Sequence, residues 1–457
     1  MAGISIELKK LQGKGSIFSI IKTFAYSAVL SSGAWVISIL GIIIASATAY
    51  YLVKNRDVVV DFQVTITYLV AISLILSGPF QLYFTRFASD LIFKKEFESV
   101  LPNFLGTMLL NMAAGFIFFI PLSLYLFKGI SIVYILFSVF AFTSLCGLWI
   151  GSSLLTGLKS YNFMVYSFLF GYGLTIILIA LFGKLGLDFL IFSFFAGQSI
   201  IFVLLVSAIM ESYPSGGRLL AVDFLKNRTS YRSLLLTGLF YNSGLWADKF
   251  VFWFSPFTGY RAFGNLRVSI VYDIPVFLAY LSMVPGMAVF FLKLEGEFAG
   301  HYAKYYQAII EGKTAEEIYN AGNRMILSAR SVFFDVIRIQ AIADILIVFM
   351  NLPLFKFFHL SYIYIPLFHV LLIGTMLQLV LMVLVGFFFY FDKVNDSLLV
   401  SFLFFALNFI FSAISIRLGP YFFGYGYAAS ILVCIIISAF LMRRFLHEIH
   451  YHTYMFI

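Results

Sequence analysis

Long apolar segments are the feature that most limits what this chain can fold into. About twelve of them occur along the 457 residues, joined by mostly short polar loops. A helix needs roughly 20 mostly apolar residues to span a bilayer, and each segment reaches that length. Hydrophobic residues make up 62% of the chain and charged residues only 11%, whereas about a quarter of a soluble domain is charged. The sequence therefore predicts an all-α polytopic membrane protein with about 12 transmembrane helices.

The loops between the predicted helices differ in charge. The helices are expected at residues 23–51, 59–85, 101–127, 131–157, 161–182, 187–210, 232–255, 273–293, 331–352, 362–391, 397–418 and 424–446. With the N-terminus inside, the inside loops and tails hold more than twice as many of the 30 basic residues as the outside loops. Basic residues collect on the cytoplasmic side of membrane proteins. We therefore expect both termini to be cytoplasmic, with an amphipathic segment at residues 1–22 and a tail at 447–457.

A short internal repeat divides the predicted helices into halves. Ser32-Gly33-Ala34-Trp35 in the first helix matches Ser243-Gly244-Leu245-Trp246 in the seventh, and a proline-containing helix follows each match. Parallel six-helix halves with a path between them recur in transporters. We therefore expect two pseudo-symmetric six-helix lobes that enclose a cavity. The expected bounds of the first lobe, the linker and the second lobe are 23–210, 211–231 and 232–446.

The longest polar segment, residues 294–330, lies inside the second predicted lobe. Its apolar residues recur at helical spacing, and Thr314 with Glu317 forms a capping-box signature at the start of a helix. We expect two interfacial helices on the cytoplasmic side. They are either a structural connector or a docking surface for a cytoplasmic partner.

The seventh predicted helix carries the strongest candidate residues, Asp248 and Lys249. Ionisable groups in hydrocarbon are costly and usually face a cavity or a partner. Successive helical residues lie about 100° apart, so the two are not expected to pair with each other. Tyr241, Asn242 and Trp246 add a polar, aromatic sector. The pair is either part of a structural ion pair with another helix or a lining of the cavity. In the cavity, the rings would stack on sugars and the charges would bind hydroxyls or take a proton.

Four further residues complete the candidates for a substrate path. Asp344 is a second carboxylate deep in a predicted helix. It either binds a proton or a cation, or it forms an ordinary hydrogen bond between helices. Arg261 and Arg267 lie in the outer loop after the seventh helix, where they either guide an anionic polymer or are simply solvated. Trp35 occupies the repeat position that matches Trp246.

Motifs of common enzyme classes are missing from the sequence. The chain contains neither the P-loop pattern G-x-x-x-x-G-K-[ST] nor the zinc-protease pattern H-E-x-x-H. Histidines near the C-terminus lie on a segment expected to be a solvated tail, with a metal site as the alternative. Because no segment is long enough for a soluble domain, the sequence predicts transport rather than catalysis, with no cofactor and no metal.

Four segments carry a family resemblance: Met1–Leu11, Ser31–Ser38, Ser77–Arg86 and Ala247–Pro256. The pattern Asp-Lys-x-x-x-Trp-x-x-Pro in the last segment is the most specific of them. Together with the helix number over the whole length, they resemble the PelG family. That family supplies the inner-membrane component of the Pel exopolysaccharide export machinery.

The resemblance implies a fold and a function. The fold is that of the multidrug/oligosaccharidyl-lipid/polysaccharide flippase superfamily, two six-helix lobes forming a V. The function is translocation of a Pel-like amino-sugar polymer of biofilms across the bacterial cytoplasmic membrane. A cytoplasmic glycosyltransferase and other Pel membrane subunits would be its partners, and nucleic acid is not expected. The alternatives are a lipid-linked oligosaccharide flippase, a cation-coupled small-molecule exporter and, last, a polytopic glycosyltransferase.

Overall fold

The computed structural model describes residues 17–53, 56–157, 161–214, 217–225, 232–358 and 360–449. Side chains are described in these ranges except at residues 17–33, 35, 56, 157 and 161. Most of the predicted amphipathic segment 1–22 and of the predicted tail 447–457 lies outside the described residues.

Helices make up nearly all of the described chain. They are α1 (Ile17–Leu52), α2 (Arg56–Phe93), α3 (Val100–Leu126), α4 (Ile132–Gly157), α5 (Tyr161–Phe182), α6 (Leu187–Ser212), α7 (Arg232–Phe254), α8 (Ile270–Leu281), α9 (Val284–Phe291), α10 (Ala299–Ile310), α11 (Ala315–Phe349), α12 (Asn351–Phe357), α13 (Ile365–Tyr390), α14 (Val394–Leu418) and α15 (Tyr425–His447). One short hairpin joins α7 to α8, with strands β1 (Tyr260–Phe263) and β2 (Leu266–Val268).

The predicted membrane class is confirmed. Among the described residues, eight helices are long and apolar enough to cross a membrane, or nine if α8 and α9 form one bent span. Every predicted helix overlaps an observed one, although the eighth is broken into α8 and α9. The number of twelve spans stays a prediction, because the eight include neither α7 and α11, which carry the deep charges, nor α1, of which Val36–Leu52 counts only as a shorter apolar helix.

Contacts divide the chain into two compact units. The N-unit is Ala34–Ile270, and the C-unit is Val271–Ile457 together with Met1–Gly33. This grouping differs from the predicted lobes, because α7 lies in the N-unit, where it packs against α2. The pseudo-symmetric lobes at residues 23–210 and 232–446 stay a prediction.

Small residues hold the helices of the N-unit close together. A Cβ on Gly171 of α5 would overlap Ile201 and the carbonyl of Gly197 on α6, so the two backbones meet there. Such close approach is how helices associate in lipid, where no hydrophobic effect drives them together. Aromatic stacking adds to the packing, since the rings of Phe119 on α3 and Phe142 on α4 lie 4.1 Å apart and almost parallel.

The described part of the predicted linker is packed rather than free. Residues 217–225 contact the ends of α2 and α3: the Asp223 amide donates to Asn103 Oδ1 at 2.8 Å, and the Tyr83 hydroxyl donates to the Phe224 carbonyl at 2.5 Å. The Phe224 side chain is buried. This segment is therefore attached to the N-unit through Asp223 and Phe224, while most of its other side chains are exposed.

In the C-unit, α11 is much longer than its predicted span. Its 35 residues extend about 52 Å at the helical rise, against about 30 Å for the hydrocarbon core. The capping box predicted for Thr314 and Glu317 is present: the Glu317 amide donates to Thr314 Oγ1, and the Thr314 amide donates to the Glu317 carboxylate. Hydrogen bonds from Thr314 hold the pKa of Glu317 below its ordinary value. The second of the two predicted loop helices is thus the first part of α11.

Candidate functional site

The crossing of α2 and α7 sets the position of the candidate residues in the N-unit. A Cβ on Gly238 would overlap the carbonyl of Gly78, and a Cβ on Gly78 would overlap the Gly238 carbonyl and the Asn242 amide. The two backbones therefore touch, which requires glycine at both positions. Half-buried Asn242 lies directly at this crossing, and Pro79 follows Gly78 inside α2.

Asp248 and Lys249 form a buried ion pair within α7. The Lys249 Nζ lies 3.2 Å from both carboxylate oxygens of Asp248 and donates to the Leu245 carbonyl at 2.8 Å. The side chains are 0% and 3% exposed respectively. The expectation that adjacent residues would not pair is wrong, because the four-carbon lysine stem bends back along the helix to its neighbour. Burial of both charges in contact fits the rule that buried ions are paired.

Aromatic rings surround this pair on the same helix. The Lys249 Nζ lies 5.7 Å from the centroid of the Trp246 ring, within cation–π distance. Trp246 and Tyr241 are half-buried. Trp253, one turn after Lys249, stacks on Tyr68 of α2 with ring centroids 4.7 Å apart. Tyr241, Asn242, Trp246, Asp248 and Lys249 thus all lie on α7, and their part in a substrate path stays a prediction.

Arg261 and Arg267 lie in the β-hairpin and bind backbone oxygens. Arg267 donates from Nε to the Trp253 carbonyl and from Nη2 to the Gly259 carbonyl, both at 3.0 Å. Its own backbone bonds the Tyr68 hydroxyl. Arg261 donates to Gly264 and Asn265 inside the hairpin turn. These bonds hold the hairpin against the end of α7.

Arg267→Gln is expected to lower the free energy of unfolding by about 1.5 kcal/mol, because two bonds from a charged donor are lost. Arg261→Gln is the matched control, since Arg261 is exposed and its side chain donates to Gly264 and Asn265 within its own hairpin. We expect it to cost less. Thermal unfolding of the purified variants measures the difference. Equal loss of polymer export in both variants at unchanged stability would instead favour a guiding role for the arginines.

The two remaining candidates lie elsewhere. Asp344 is in the C-unit on α11, 9% exposed, and accepts a hydrogen bond from Gln340 Nε2 at 2.8 Å. Trp35 is in α1, but its side chain lies outside the described residues.

One buried amide side chain of the N-unit, Asn111, was missed from the sequence. Asn111 of α3 donates to Ser77 Oγ at 2.9 Å and to the Cys146 carbonyl at 2.8 Å. In the C-unit, Gln378 accepts hydrogen bonds from Tyr280 and Tyr427. A lone amide in an apolar segment is a recognisable signal, but its partner lies on another helix and cannot be read from the sequence.

An apolar groove of about 570 Å³ lies in the N-unit, between α2, the turn at residues 223–225 and the first half of α7. Its lining is Pro79, Phe80, Tyr83, Phe224, Leu225, Arg232, Leu235, Leu236 and Leu239. None of the predicted path residues lines it. The candidate site is therefore the polar, aromatic stretch of α7 and not this groove.

Solved structures with the same fold are transporters. An outward-facing multidrug-resistance transporter of the MATE family, MOP superfamily, is 13% identical over 93% of this chain and 95% of its own, with a TM-score of 0.62. A MATE structure in the straight conformation is 13% identical over 93% and 96%, with a TM-score of 0.63. A MOP-superfamily transporter from Pyrococcus furiosus is 14% identical over 93% and 95%, with a TM-score of 0.60. The predicted all-α transporter fold is confirmed, whereas its division into two six-helix lobes stays a prediction.

The sequence profile of the PelG family, exopolysaccharide exporters (EPS-E), matches residues 1–454. No curated protein matches the chain significantly. The profile covers all four segments on which the family resemblance rests and almost the entire chain. The chain belongs to the PelG family of exopolysaccharide exporters.

Proposed function

We propose that the protein moves a Pel-like amino-sugar polymer across the bacterial cytoplasmic membrane, and that it does so without catalysing a reaction. The observation that carries this proposal is the family match over residues 1–454. The transporter fold supports it, because the family and the structural relatives are membrane transport proteins. Both termini are placed in the cytoplasm on the charge distribution of the loops.

The part of α7 around Asp248 and Lys249 is proposed to contact the polymer. Half-buried Tyr241, Asn242 and Trp246 offer a hydroxyl, an amide and a large ring beside the ion pair. Amides and hydroxyls both donate and accept hydrogen bonds, as sugar hydroxyls do. Aromatic rings provide a flat apolar face with a polar edge, which suits the two faces of a sugar ring. Trp35 and Asp344 stay candidates for the same role.

The proposed partners are a cytoplasmic glycosyltransferase and other membrane subunits of a Pel-like complex. Exposed apolar side chains on α10 and the first half of α11 support a protein contact there, since Ile310 is 85% exposed and Leu327 61% exposed. Copurification with a glycosyltransferase distinguishes this proposal from a flippase that acts alone.

Deletion of the gene in the native host is expected to abolish polymer outside the cell, with restoration by the wild-type copy. Polymer is assayed both in the medium and inside the cell, and lipid-linked oligosaccharide is assayed in the membrane. Unchanged secretion would contradict the export function. Accumulation of lipid-linked oligosaccharide in place of polymer would favour the oligosaccharide flippase.

A further inference from the structure

The break between α8 and α9 lies in the C-unit, where the two helical segments are bent by 40°. Pro285 sits in the first turn of α9 and has no amide hydrogen to donate. In a continuous helix, the Gly286 amide would donate to the Ser282 carbonyl four residues earlier. The Gly286 amide and the Ser282 carbonyl are therefore one pair of backbone groups that the break separates.

The side chain of Gln340 on α11 occupies the place of that missing bond. Its Nε2 donates to the Ser282 carbonyl at 2.9 Å, and its Oε1 accepts from the Gly286 amide at 3.1 Å. A Cβ at position 286 would overlap Gln340 and Leu379, so glycine is needed for this approach. One amide thus satisfies two of the backbone groups at the break, the Ser282 carbonyl and the Gly286 amide.

Gln340 is also bonded to Asp344, one turn further along the same face of α11. Its Nε2 donates to Asp344 Oδ1 at 2.8 Å, so both Nε2 hydrogens are in use. The other carboxylate oxygen, Oδ2, is buried and has no hydrogen-bond partner among the described residues. Asp344 itself is 9% exposed.

The charged groups around α11 leave Asp344 uncompensated. In the described chain, none of the titratable groups on the elements packed against α11 is within salt-bridge or hydrogen-bond distance of Asp344. Those elements are α9, α10, α12, α13 and the segment Leu292–Phe298, with α8 on the far side of the break. Lys293 contacts Glu297 and Asp335 instead, Tyr390 donates to Glu295, His369 contacts Asn351 and Tyr280 donates to Gln378. The other titratable groups on those elements are Tyr272, Asp273, His301, Tyr302, Lys304, Tyr305, Tyr306 and Lys356. On α11 itself, Arg338 contacts Asp335.

A buried carboxylate without a compensating cation carries a desolvation penalty of several kcal/mol, and it is relieved when the group takes up a proton. We propose that Asp344 is a proton-binding site, and that its proton occupancy controls the break between α8 and α9 through Gln340. The proton comes from water and binds Oδ2, which converts the carboxylate to a neutral carboxylic acid. Release returns the proton to water and leaves the charged carboxylate.

The two protonation states favour different arrangements of the helix. Neutral Asp344 is compatible with a dry site in which Gln340 bridges Ser282 and Gly286. Charged Asp344 requires water, and hydration draws Gln340 away from the break. The Gly286 amide is then free to bond the Ser282 carbonyl directly, which reduces the bend, while Pro285 still donates no hydrogen bond to the Leu281 carbonyl. A role of this proton-dependent break in driving polymer export rests on the proposed function, but the proton-binding site itself does not.

Difference infrared spectroscopy of the purified full-length protein tests the binding site. Between about pH 5 and pH 9, wild type is expected to show a buried carboxylic-acid band that titrates, and Asp344→Asn is expected to lose it. Asp335→Asn is the matched control on the same helix, because Asp335 contacts Lys293 and Arg338, and it should keep the band.

If Asp344→Asn does not fold, Asp344→Glu should move the band. An unchanged band in both variants overturns the proposal. A band that disappears when choline is replaced by sodium at constant pH also overturns it, in favour of a metal cation.

Hydrogen–deuterium exchange of the peptide that contains Gly286 tests the coupling. In wild type its protection should change over the pH range in which the band titrates, and in Asp344→Asn it should not depend on pH. The same pH dependence in both proteins overturns the coupling. Both measurements use purified protein without polymer, so their failure leaves polymer export untouched. Loss of export in the deletion strain is measured separately.

Discussion

Lys249→Gln is expected to lower the free energy of unfolding by about 3–5 kcal/mol, which is the cost of leaving a buried charge without its ion partner. The removed ammonium contacts both oxygens of Asp248, whose side chain is 0% exposed. Asp248→Asn should lower the free energy of unfolding by a similar amount, because it leaves the buried Lys249 ammonium without its carboxylate. The double variant Asp248→Asn/Lys249→Gln has no unpaired charge, so most of the stability should return. Chemical or thermal unfolding of the three purified variants measures this cycle.

The double variant separates a structural role from a role in transport. If the charges contact the polymer, it should be nearly as stable as wild type and still export poorly. The matched control is Lys293→Gln, because Lys293 pairs with Glu297 at 2.8 Å and with Asp335 at 3.3 Å while all three side chains are partly exposed, and each such pair contributes at most about 1 kcal/mol. Normal export by a stable double variant would limit Asp248 and Lys249 to holding α7 in place.

The helix positions could be predicted because apolar length is a local property of the sequence. Charges in an apolar segment are equally local, so Asp248, Lys249 and Asp344 were identified as buried groups. Their partners could not be predicted from helical geometry alone. The 100° angle describes where two side chains leave the backbone, whereas the lysine stem is long enough to cross that angle and reach Asp248.

The hairpin after α7 was missed although its turn signal was present. Gly264-Asn265 is a typical two-residue turn sequence, and Gly264 has a φ of +54°. The flanking strands have only four and three residues, too few for a visible alternation of polar and apolar residues. Arg261 and Arg267 were therefore interpreted as loop residues, and their backbone acceptors at Gly264 and Trp253 were not foreseen.

Pro285 is a local sequence signal for the break in the eighth predicted helix. The side chain that stabilises the break, Gln340, has no such local signal. Gln340 lies 54 residues from Gly286 and 58 from Ser282. Nothing in the local sequence connects a glutamine on one helix with two backbone groups on another. Contacts of this kind arise from packing, as does the grouping of α7 with α2, which the four-residue repeat did not predict.

Gly238→Ala is expected to destabilise the protein by about 1–3 kcal/mol, as extra atoms in a closely packed interior do. The new methyl group would overlap the Gly78 carbonyl, and a backbone atom cannot move aside as a side chain can. Gly173→Ala on α5 is the matched control, because a Cβ there meets no atom within 4 Å. That substitution should be neutral or stabilising by up to about 1 kcal/mol, since alanine favours the helix.

The combination of Gly78→Ala with Gly238→Ala tests whether one contact is responsible. Both changes force the same separation of α2 from α7. The double variant should therefore lose less stability than the two single variants lose together. Thermal unfolding of the single and double variants measures this coupling. Because α7 also carries Asn242 and the Asp248–Lys249 pair, the displacement should reduce polymer export even where the protein still folds. A Gly238→Ala protein as stable as Gly173→Ala would mean that the backbones of α2 and α7 do not touch, and the proposed position of the polymer-contacting side chains would then be wrong.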